Sequence, residues 1–363
     1  MAGGGRLLGL DGLRAVSILM VMASHAAGTQ LVGGSLVPLG AAHQWGKVGV
    51  RVFFVISGFL ITKLMLDEEV RHGSVSIKAF YVRRAYRILP AYAVYLGFLV
   101  ALRFGFGVDI ATNDLVHAAT YTTNFDVERH WFVSHIWSLS VEEQFYLLWP
   151  VMFALGGRVW AFWTAVVACV VAPICRYLVV KALPVELDAL VWQAAPAVAD
   201  SIATGCLLAF ARTADARAAA GPLAALIERA LVKTRATPLT YLFFPTAFFS
   251  YLLEDRPTVW TLVGVSFSNV GFALVVDRAV SSQSDPLGRL LLHPWLERLG
   301  VLSYSLYLWQ QVFLRQSYVS GPPAVAFVSS LPVSLACALA AGAASYYLVE
   351  KPILRRRPRS ADR

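Results

Sequence analysis

Residues 9–28 read GLDGLRAVSILMVMASHAAG, an apolar stretch that contains one arginine, Arg14, and one histidine, His25. A helix turns every 3.6 residues and rises about 1.5 Å per residue, so the two side chains share one helix face about 16 Å apart. Ionisable groups are costly inside a membrane-spanning helix and usually mark a functional site. The stretch therefore predicts a first membrane span with a functional histidine near its middle. Alternatively, Arg14 marks the membrane interface and His25 hydrogen-bonds a neighbouring helix.

The composition of the whole chain is typical of a membrane protein. Hydrophobic residues make up 58% and charged residues 15% of the 363 residues, and the mean hydropathy is +0.62. Soluble domains contain roughly 45–50% apolar and about 25% charged residues. Apolar segments of about 20 residues, enough to cross a bilayer as a helix, recur along the chain. We predict an all-α bundle of ten spans, at residues 9–28, 46–66, 86–106, 138–156, 158–180, 193–211, 238–254, 257–280, 299–319 and 324–349.

Basic residues concentrate in alternate connections between these spans. The basic stretches hold six, five, three and six lysines and arginines, and they run from Lys63 to Arg87, Arg212 to Arg235, Arg278 to Arg298 and Lys351 to Arg363. The positive-inside rule places these connections, and both termini, in the cytoplasm. This pattern accounts for the net charge of +9, so we expect a lipid bilayer of the inner (cytoplasmic) cell membrane as the partner and no nucleic acid. Lys47 and Arg51 fall on the opposite side, where they either line a polar cavity or show that a boundary is misplaced.

The chain is predicted to be a single membrane domain, residues 1–363, without an internal repeat or a second soluble domain. Its four cysteines fall in predicted spans and lack metal-ligand spacing, so neither a metal site nor a disulfide framework is implied. The external connection 107–136 contains Tyr121, His130, Trp131 and His135. It either folds back over a cavity or forms an interfacial aromatic belt.

A group of arginines precedes the third span. Arg83, Arg84 and Arg87 lie three and four residues apart at the helical spacings that make side chains neighbours. Guanidinium forks match phosphate oxygens, which favours a phosphate-binding role. The alternative is an anchor on lipid headgroups.

A polar stripe opens the fourth span. Ser138, Glu142 and Tyr146 repeat every four residues and share one helix face. Because two adjacent glutamates are costly to bury, we expect at least one to face water, a cation or a substrate, and the shared face favours Glu142 over Glu143. A solvated helix start with acidic residues near the helix N-terminus is the alternative.

Two further sets of polar residues lie within predicted spans. Asp200 and Arg176 are predicted to form a structural ion pair. The ninth span is unusually polar around Tyr307, Trp309 and Gln310, which indicates either a cavity lining or hydrogen bonds between helices.

Taken together, these motifs resemble the membrane-bound acyltransferase family 3, and the resemblance extends over nearly the whole chain. It rests on LDGLRA at 10–15 with His25, on GVRVFFVISGFL at 49–60, and on residues 80–90, 137–146, 200–208, 303–309 and 350–352. The resemblance implies an O-acyltransferase that moves an acyl group, usually acetyl, from cytoplasmic acyl-CoA to a hydroxyl group. The implied acceptor is a carbohydrate of an exopolysaccharide, lipopolysaccharide or glycolipid; a macrolide-type metabolite is the alternative.

The resemblance also implies roles for individual residues. His25 and Glu142 are the expected catalytic residues, and Arg14, Arg84 and Arg87 are expected to bind the acyl-CoA phosphates. The expected acceptor-binding residues are Trp137, Ser138, Tyr146, Tyr307 and Trp309, and the expected supporting residues are Asp11, Arg83 and Glu350. The chain departs from the family at Gln310, where many members have histidine, and it ends without the hydrolase-like domain that some members append.

A proton-coupled transporter or flippase is the rival class, with His25, Glu142 and Asp200 as a proton relay. The cytoplasmic arginines in register with the Arg14 motif favour the acyltransferase. In that interpretation, the arginines hold the phosphates on the cytoplasmic side while the Glu142 and Tyr146 face orients the acceptor from the external side.

Overall fold

The computed structural model of the chain describes residue 7 and residues 9–27, 42–182, 193–237, 259–281, 284–314 and 330–358. Within these ranges the regular structure is helical, without β-strands. The longer helices are α1 (Leu10–Ala26), α2 (Ala42–His72), α3 (Ile77–Phe106), α6 (Ile136–Ala182), α7 (Ala195–Arg212), α10 (Val259–Ser281), α12 (Pro294–Phe313) and α13 (Val333–Ser345). The shorter ones are α4 (Thr112–Ala119), α5 (Trp131–Ser134), α8 (Ala214–Ala220), α9 (Pro222–Arg235), α11 (Pro286–Leu291) and α14 (Lys351–Arg355), with a π-helical turn at Tyr346–Glu350.

Most described residues of the predicted spans are helical. Within the described ranges, five segments are long and apolar enough to cross a membrane: Gln44–His72, Ile77–Phe106, Trp131–Ala182, Val263–Ser281 and Val333–Arg355. The helices α7 and α8, bent by 107° at their junction, form a further candidate. The predicted span 238–254 lies outside the described residues, as do residues 315–319 of the ninth predicted span and residues 324–329 of the tenth.

The structure corrects several predicted boundaries. Helix α2 continues to His72 and α3 begins at Ile77, so the connection predicted at 67–85 is mostly helical. Ser76 caps α3 by accepting a hydrogen bond from the backbone N–H of Ala79. The polar connection 212–236 is also helical, since it contains α8 and α9. The end of α2, the start of α3 and the helices α8 and α9 are rich in polar residues. A hydropathy pattern does not detect such polar helical segments.

Helix α6 breaks at Gly157, between the predicted spans 138–156 and 158–180. The φ angle of Gly157 is 70°, in the region that side-chain-bearing residues rarely adopt. The break separates two helices in a 47-residue stretch that would otherwise be about 70 Å long.

The chain divides into two compact units. The first contains the described residues within Met1–Ser17, Val48–Val75 and Val151–Val301, and the second those within Ile18–Lys47, Ser76–Pro150 and Leu302–Arg363. In the first unit, the glycine at position 58 allows α2 and α7 to pack closely. A Cβ atom added there would lie only 1.9 Å from the carbonyl oxygen of Ile202. In the second unit, the core is formed by buried side chains of α3, α5, α6 and α12, which include Tyr92, Tyr95, Leu99, Ile136 and Leu308.

Candidate active site

His25 lies in the last turn of α1, not in the middle of the helix as the sequence predicted. Its Nδ1 atom is 2.8 Å from Oε1 of Gln310, a fully buried residue of α12. Because an amide oxygen only accepts hydrogen bonds, Nδ1 carries the proton and donates it to Gln310. In the neutral form of this imidazole, the lone pair is then on Nε2.

Part of the segment 107–136 packs against His25 and α12. Trp131 packs edge-on against the imidazole of His25, with ring centroids 5.7 Å apart. The indole N–H of Trp131 donates to the carbonyl oxygen of Gln311 at 2.9 Å, and the amide of Gln311 donates to the carbonyl oxygen of Trp131 at 2.7 Å. Tyr95 fixes the same segment by donating to the carbonyl oxygen of Phe132 at 2.6 Å.

Arg129 ties this segment together from within. Its guanidinium donates to the carbonyl oxygens of Thr123, at 2.8 Å, and Ser134, at 3.2 Å. Burial lowers the pKa of Arg129 to about 10, although the nearby carboxylate of Asp126 opposes this effect. Arg129 stays charged at neutral pH and holds both ends of the loop.

His135 is a second histidine of the site. It is buried, and its Nε2 atom donates to the carbonyl oxygen of Leu308 at 3.2 Å. Its Nδ1 atom is buried and has no hydrogen-bond partner among the described residues. The rings of Tyr95 and Tyr307 enclose the imidazole, with centroids 5.8 and 5.5 Å away.

Ser138, Glu142 and Tyr146 lie along one face of α6, as predicted, and contact residues of α12 and α3 in the second unit. At one end, Ser138 is hydrogen-bonded to the hydroxyl of Tyr307 at 2.5 Å. Further along the helix, the hydroxyl of Tyr146 donates to Oε2 of Glu142 at 3.3 Å. The guanidinium of Arg84 lies over the ring of Tyr146, 4.4 Å from its centroid. Arg84 and Tyr146 are therefore neighbours, whereas the sequence interpretation assigned them to opposite sides of the membrane.

Glu350 lies within electrostatic range of Arg87, the other arginine of the predicted pair. It is buried at the end of the π-helical turn, and the hydroxyl of Ser305 donates to its carboxylate. The charge of Arg87 acts on the same carboxylate. Glu350 thus lies near Arg87 in the second unit.

The remaining predicted residues are placed as follows. Arg14 and Asp11 belong to the first unit, where their side chains lie 4.0 Å apart as an ion pair one turn along α1. Trp137 and Arg83 are half-buried on α6 and α3. Trp309 packs against Tyr95 with ring centroids 5.4 Å apart, and its indole N–H is buried without a hydrogen-bond partner among the described residues.

Comparisons with known proteins identify the family of this chain. The profile of an acyltransferase family, described as an acyltransferase domain, matches residues 7–343. The chain belongs to the acyltransferase 3 family. No solved structure matches it.

This acyltransferase 3 chain is similar to proteins that are named as O-acetyltransferases, of which two are described here. The peptidoglycan O-acetyltransferase OatA of Listeria monocytogenes is 25% identical over 320 residues, which cover 83% of this chain and 48% of that protein. The Bacillus subtilis protein named "Putative peptidoglycan O-acetyltransferase YrhL" is 28% identical over 372 residues, which cover 95% of this chain and 54% of that protein. The chain thus spans about half the length of these curated relatives.

Three residues of this acyltransferase domain escaped the sequence-based choice of site residues. Gln310 contacts His25 across 285 positions of sequence, which no local pattern reveals, and His135 was noted only as part of a loop. Glu143 was set aside in favour of Glu142, yet its Oε1 atom is buried without a hydrogen-bond partner among the described residues. Burial raises the pKa of Tyr121, and the carboxylate of Glu143 raises it further. Glu143 therefore faces the interior of the second unit.

Proposed function

We propose that this chain is an acyl-CoA-dependent O-acyltransferase that moves an acyl group, acetyl in the first instance, to a hydroxyl group of a cell-envelope carbohydrate. The observation that carries the proposal is the hydrogen bond from His25 to Gln310 beneath Trp131. It fixes the orientation of the His25 imidazole and places the lone pair of its neutral form on Nε2. Family membership and the names of the relatives support the type of reaction.

The lone pair of His25 serves either of two chemical routes. As a general base, Nε2 removes the proton of the acceptor hydroxyl while the oxygen attacks the thioester carbon, and the proton then passes to the departing thiolate. As a nucleophile, Nε2 attacks the thioester first and the thiolate leaves. The acceptor oxygen then attacks the acyl-histidine, the bond between the acyl carbon and Nε2 breaks, and the hydroxyl proton passes to the thiolate. Because Gln310 is neutral, it orients the imidazole without adding a negative charge that would stabilise the imidazolium ion.

The arginines of α3 supply the binding site that we propose for the phosphates of acyl-CoA. Tyr146 covers one face of the Arg84 guanidinium, which leaves the N–H edge able to donate to phosphate oxygens. Glu350 and Ser305 place a buried carboxylate next to Arg87. On the basis of the family resemblance alone, we also assign Arg14, which pairs with Asp11, to binding of the acyl-CoA phosphates, and Arg83 as a supporting charge.

The acceptor is the second substrate of the proposed reaction. The rings of Trp131 and Tyr307 pack against the two histidines, and Trp309 packs against Tyr95. The indole N–H of Trp309 is a buried donor that a sugar hydroxyl would satisfy. Peptidoglycan is the acceptor that the names of the two relatives give, so glycan strands of that kind are the first acceptors to test. We assign Glu142, Trp137 and Ser138 to acceptor binding.

We propose that the chain has ten spans in the inner membrane, with residues near both ends of this chain in the cytoplasm. The alternation of basic connections supports this topology. It places the Arg83 to Arg87 group on the side where acyl-CoA is made.

A release assay tests the proposed function. Purified protein in detergent is mixed with acetyl-CoA, with or without soluble peptidoglycan fragments, and free CoA and acetylated glycan are measured. We expect CoA release that rises with the glycan, together with a matching gain of 42 Da per acetyl group by the general chemistry of esterification. Thermal stabilisation by CoA reports binding separately. If the protein neither releases CoA nor is stabilised by it, the proposal is contradicted and the proton-coupled transporter is favoured.

The arginine pair provides a prediction about substrate affinity. Replacing Arg84 and Arg87 together with glutamine is expected to raise the KM for acetyl-CoA by roughly tenfold for each lost phosphate contact, because a hydrogen bond to a charged group contributes about 1.5 kcal/mol or more. The kcat should change much less. Arg103→Gln is the matched control, since Arg103 lies at the far end of α3 and donates to Thr112. An unchanged KM in the double variant would show that the phosphates of acetyl-CoA do not bind to Arg84 and Arg87.

Gln310 provides a prediction about the positioning of His25. Gln310→Leu is expected to lower kcat about 10- to 100-fold with little change in KM, because the imidazole loses the acceptor that fixes its tautomer. Gln310→Glu keeps an acceptor oxygen and should retain activity. Its carboxylate stabilises the imidazolium ion, so the acid limb of the rate–pH profile should move to higher pH. Equal kcat values in wild type and Gln310→Leu would show that this hydrogen bond does not serve catalysis.

A further inference from the structure

One group of charged side chains in the first unit is buried. Asp200 on α7 receives two hydrogen bonds from Arg176, at 2.9 and 2.8 Å, which confirms the predicted ion pair. Arg51 on α2 lies beside the pair, with Nη1 3.6 Å from Oδ1 of Asp200, so it belongs to a polar interior and not to a misplaced boundary. These three side chains are at most 2% exposed. Any contact of the first unit with charged groups outside it therefore involves other residues.

A second group of charged side chains joins the ends of four helices. Asp277, near the end of α10, accepts hydrogen bonds from Arg212 at the end of α7 and from Arg235 at the end of α9. Arg278 donates to the backbone carbonyl oxygen of Arg235 at 2.6 Å. It also donates to Asp285, the N-cap residue of α11. These bonds hold α9 and α11 next to the same end of α10.

Helix α9 presents a basic and apolar face to its surroundings. Leu226, Arg229 and Lys233 lie on one side of the helix, at spacings of three and four residues. All three are exposed, Leu226 to 59%. The one acidic residue of α9, Glu228, pairs instead with Arg217 of α8. The exposed face therefore carries positive charge and apolar surface without a carboxylate.

The segment from α11 to the start of α12 shows the same combination. Leu290 and Trp295 are 57% and 67% exposed, and the neighbouring basic residues Arg289 and Arg298 are also exposed. The guanidinium of Arg298 lies over the ring of Trp295, 5.5 Å from its centroid. Tryptophan is enriched where a membrane meets water, because its ring is apolar and its N–H is polar. A second basic and apolar element thus lies beside the end of α10.

The network around Asp277 also fixes the level of these elements relative to a membrane. Helix α10 contains the candidate span Val263–Ser281, and α7 together with α8 forms a further candidate. Asp277 and Arg212 lie within about one turn of the ends of α10 and α7. The end of α9 and the start of α11 therefore meet these helices where a span leaves the hydrocarbon core, which is the level of the lipid headgroups.

We propose that the outer faces of α9 and of residues 286–298 form one basic surface that binds anionic phospholipid headgroups. Arg229 and Lys233 on α9, with Arg289 and Arg298 on the other element, donate to headgroup phosphates, and Trp295 lies among the glycerol and upper acyl groups. The cytoplasmic leaflet carries the negative lipid charge that such residues match. A soluble acidic partner would match the charge but not the apolar side chains exposed at this level. The inference rests on the proposed topology and not on acyl transfer.

Site-specific photo-crosslinking tests the proposal. The photoreactive amino acid p-benzoylphenylalanine replaces Leu226 or Trp295 in the full chain, which is placed in nanodiscs of equimolar phosphatidylglycerol and phosphatidylcholine. After illumination, lipid adducts are identified by mass. A basic residue near an anionic surface contributes about fivefold to binding, so we expect phosphatidylglycerol adducts to exceed phosphatidylcholine adducts about fivefold or more at both positions. Equal amounts of the two adducts, or no lipid adduct at either position, would overturn the proposal.

A charge-removing variant locates the lipid preference. Arg229→Gln combined with Lys233→Gln should reduce the ratio of adducts at Leu226 to about one and leave the ratio at Trp295 high. Val170 is the matched control position, because it is 59% exposed in the same unit among exposed apolar residues of α6. The photoreactive group there should give both adducts equally. A full phosphatidylglycerol preference at Leu226 in the double variant would overturn the assignment of the headgroup site to these residues.

Discussion

Replacement of His25 by alanine is expected to lower acyl transfer by about 10³-fold or more, while binding of CoA is kept. Acid–base catalysis by a placed side chain contributes roughly 10²- to 10⁴-fold, and a nucleophilic role would contribute at least as much. The loss should be confined to kcat because the proposed phosphate ligands lie on α3 and near the start of α1, away from the last turn that holds His25. Single-turnover release of CoA measures the chemical step directly.

Two controls separate chemistry from packing. His25→Gln fills a similar volume and keeps polar atoms near Gln310, yet it supplies no basic lone pair, so it should be as inactive as His25→Ala. His72→Ala removes an exposed histidine at the end of α2 and should leave turnover unchanged. Thermal stabilisation by CoA shows whether each variant is folded. Turnover near the wild-type rate in folded His25→Ala would exclude His25 from the reaction.

Intermediate accumulation then distinguishes the two roles of His25. An acyl-histidine route predicts a burst of CoA release in the absence of glycan, equal in amount to the enzyme. The general-base route predicts no burst, because the thioester breaks only when the acceptor oxygen attacks. Both results keep His25 at the centre of catalysis.

Periodicity and hydropathy predicted the parts of the molecule that depend on local sequence. Ser138, Glu142 and Tyr146 share a face because a helix brings every fourth residue into line, and the structure shows contacts at both ends of that stripe. The break at Gly157 falls between two predicted spans because each apolar run is the length of one membrane crossing. Local physics was sufficient in both cases.

The partners across the bundle could not be predicted in this way. Gln310 and His25 meet because α1 and α12 pack together within the second unit, and the sequence of neither helix specifies that pairing. Arg84 and Tyr146 were assigned to opposite sides because span boundaries were drawn from hydropathy, whereas α3 begins nine residues before its predicted span. The same limitation applied to Arg51, whose depth on α2 was ambiguous until its contact with Asp200 was known.

Asp200→Asn is expected to be the most destabilising conservative substitution in the first unit. It leaves Arg51 and Arg176 buried with no carboxylate between them, and removal of one partner of a buried ion pair costs about 3–5 kcal/mol. The Asn amide also presents donor hydrogens toward guanidinium donors, so at least one of the present hydrogen bonds is replaced by a clash of like groups. We expect a large fall in Tm and in the yield of folded protein from membranes.

A charge-restoring double variant makes this prediction specific. Asp200→Asn combined with Arg176→Gln removes both charges of the ion pair and leaves the net charge unchanged from wild type, so it should recover part of the lost Tm, which a double-mutant cycle measures. Asp285→Asn is the control: Asp285 pairs with Arg278 nearer the surface, at 13% exposure, and surface pairs contribute about 1 kcal/mol or less. Asparagine can also keep the cap that Asp285 provides for α11. If Asp200→Asn unfolded at the same temperature as Asp285→Asn, the prediction would be wrong, because the buried arginines would tolerate the loss of their carboxylate as easily as a more exposed arginine does.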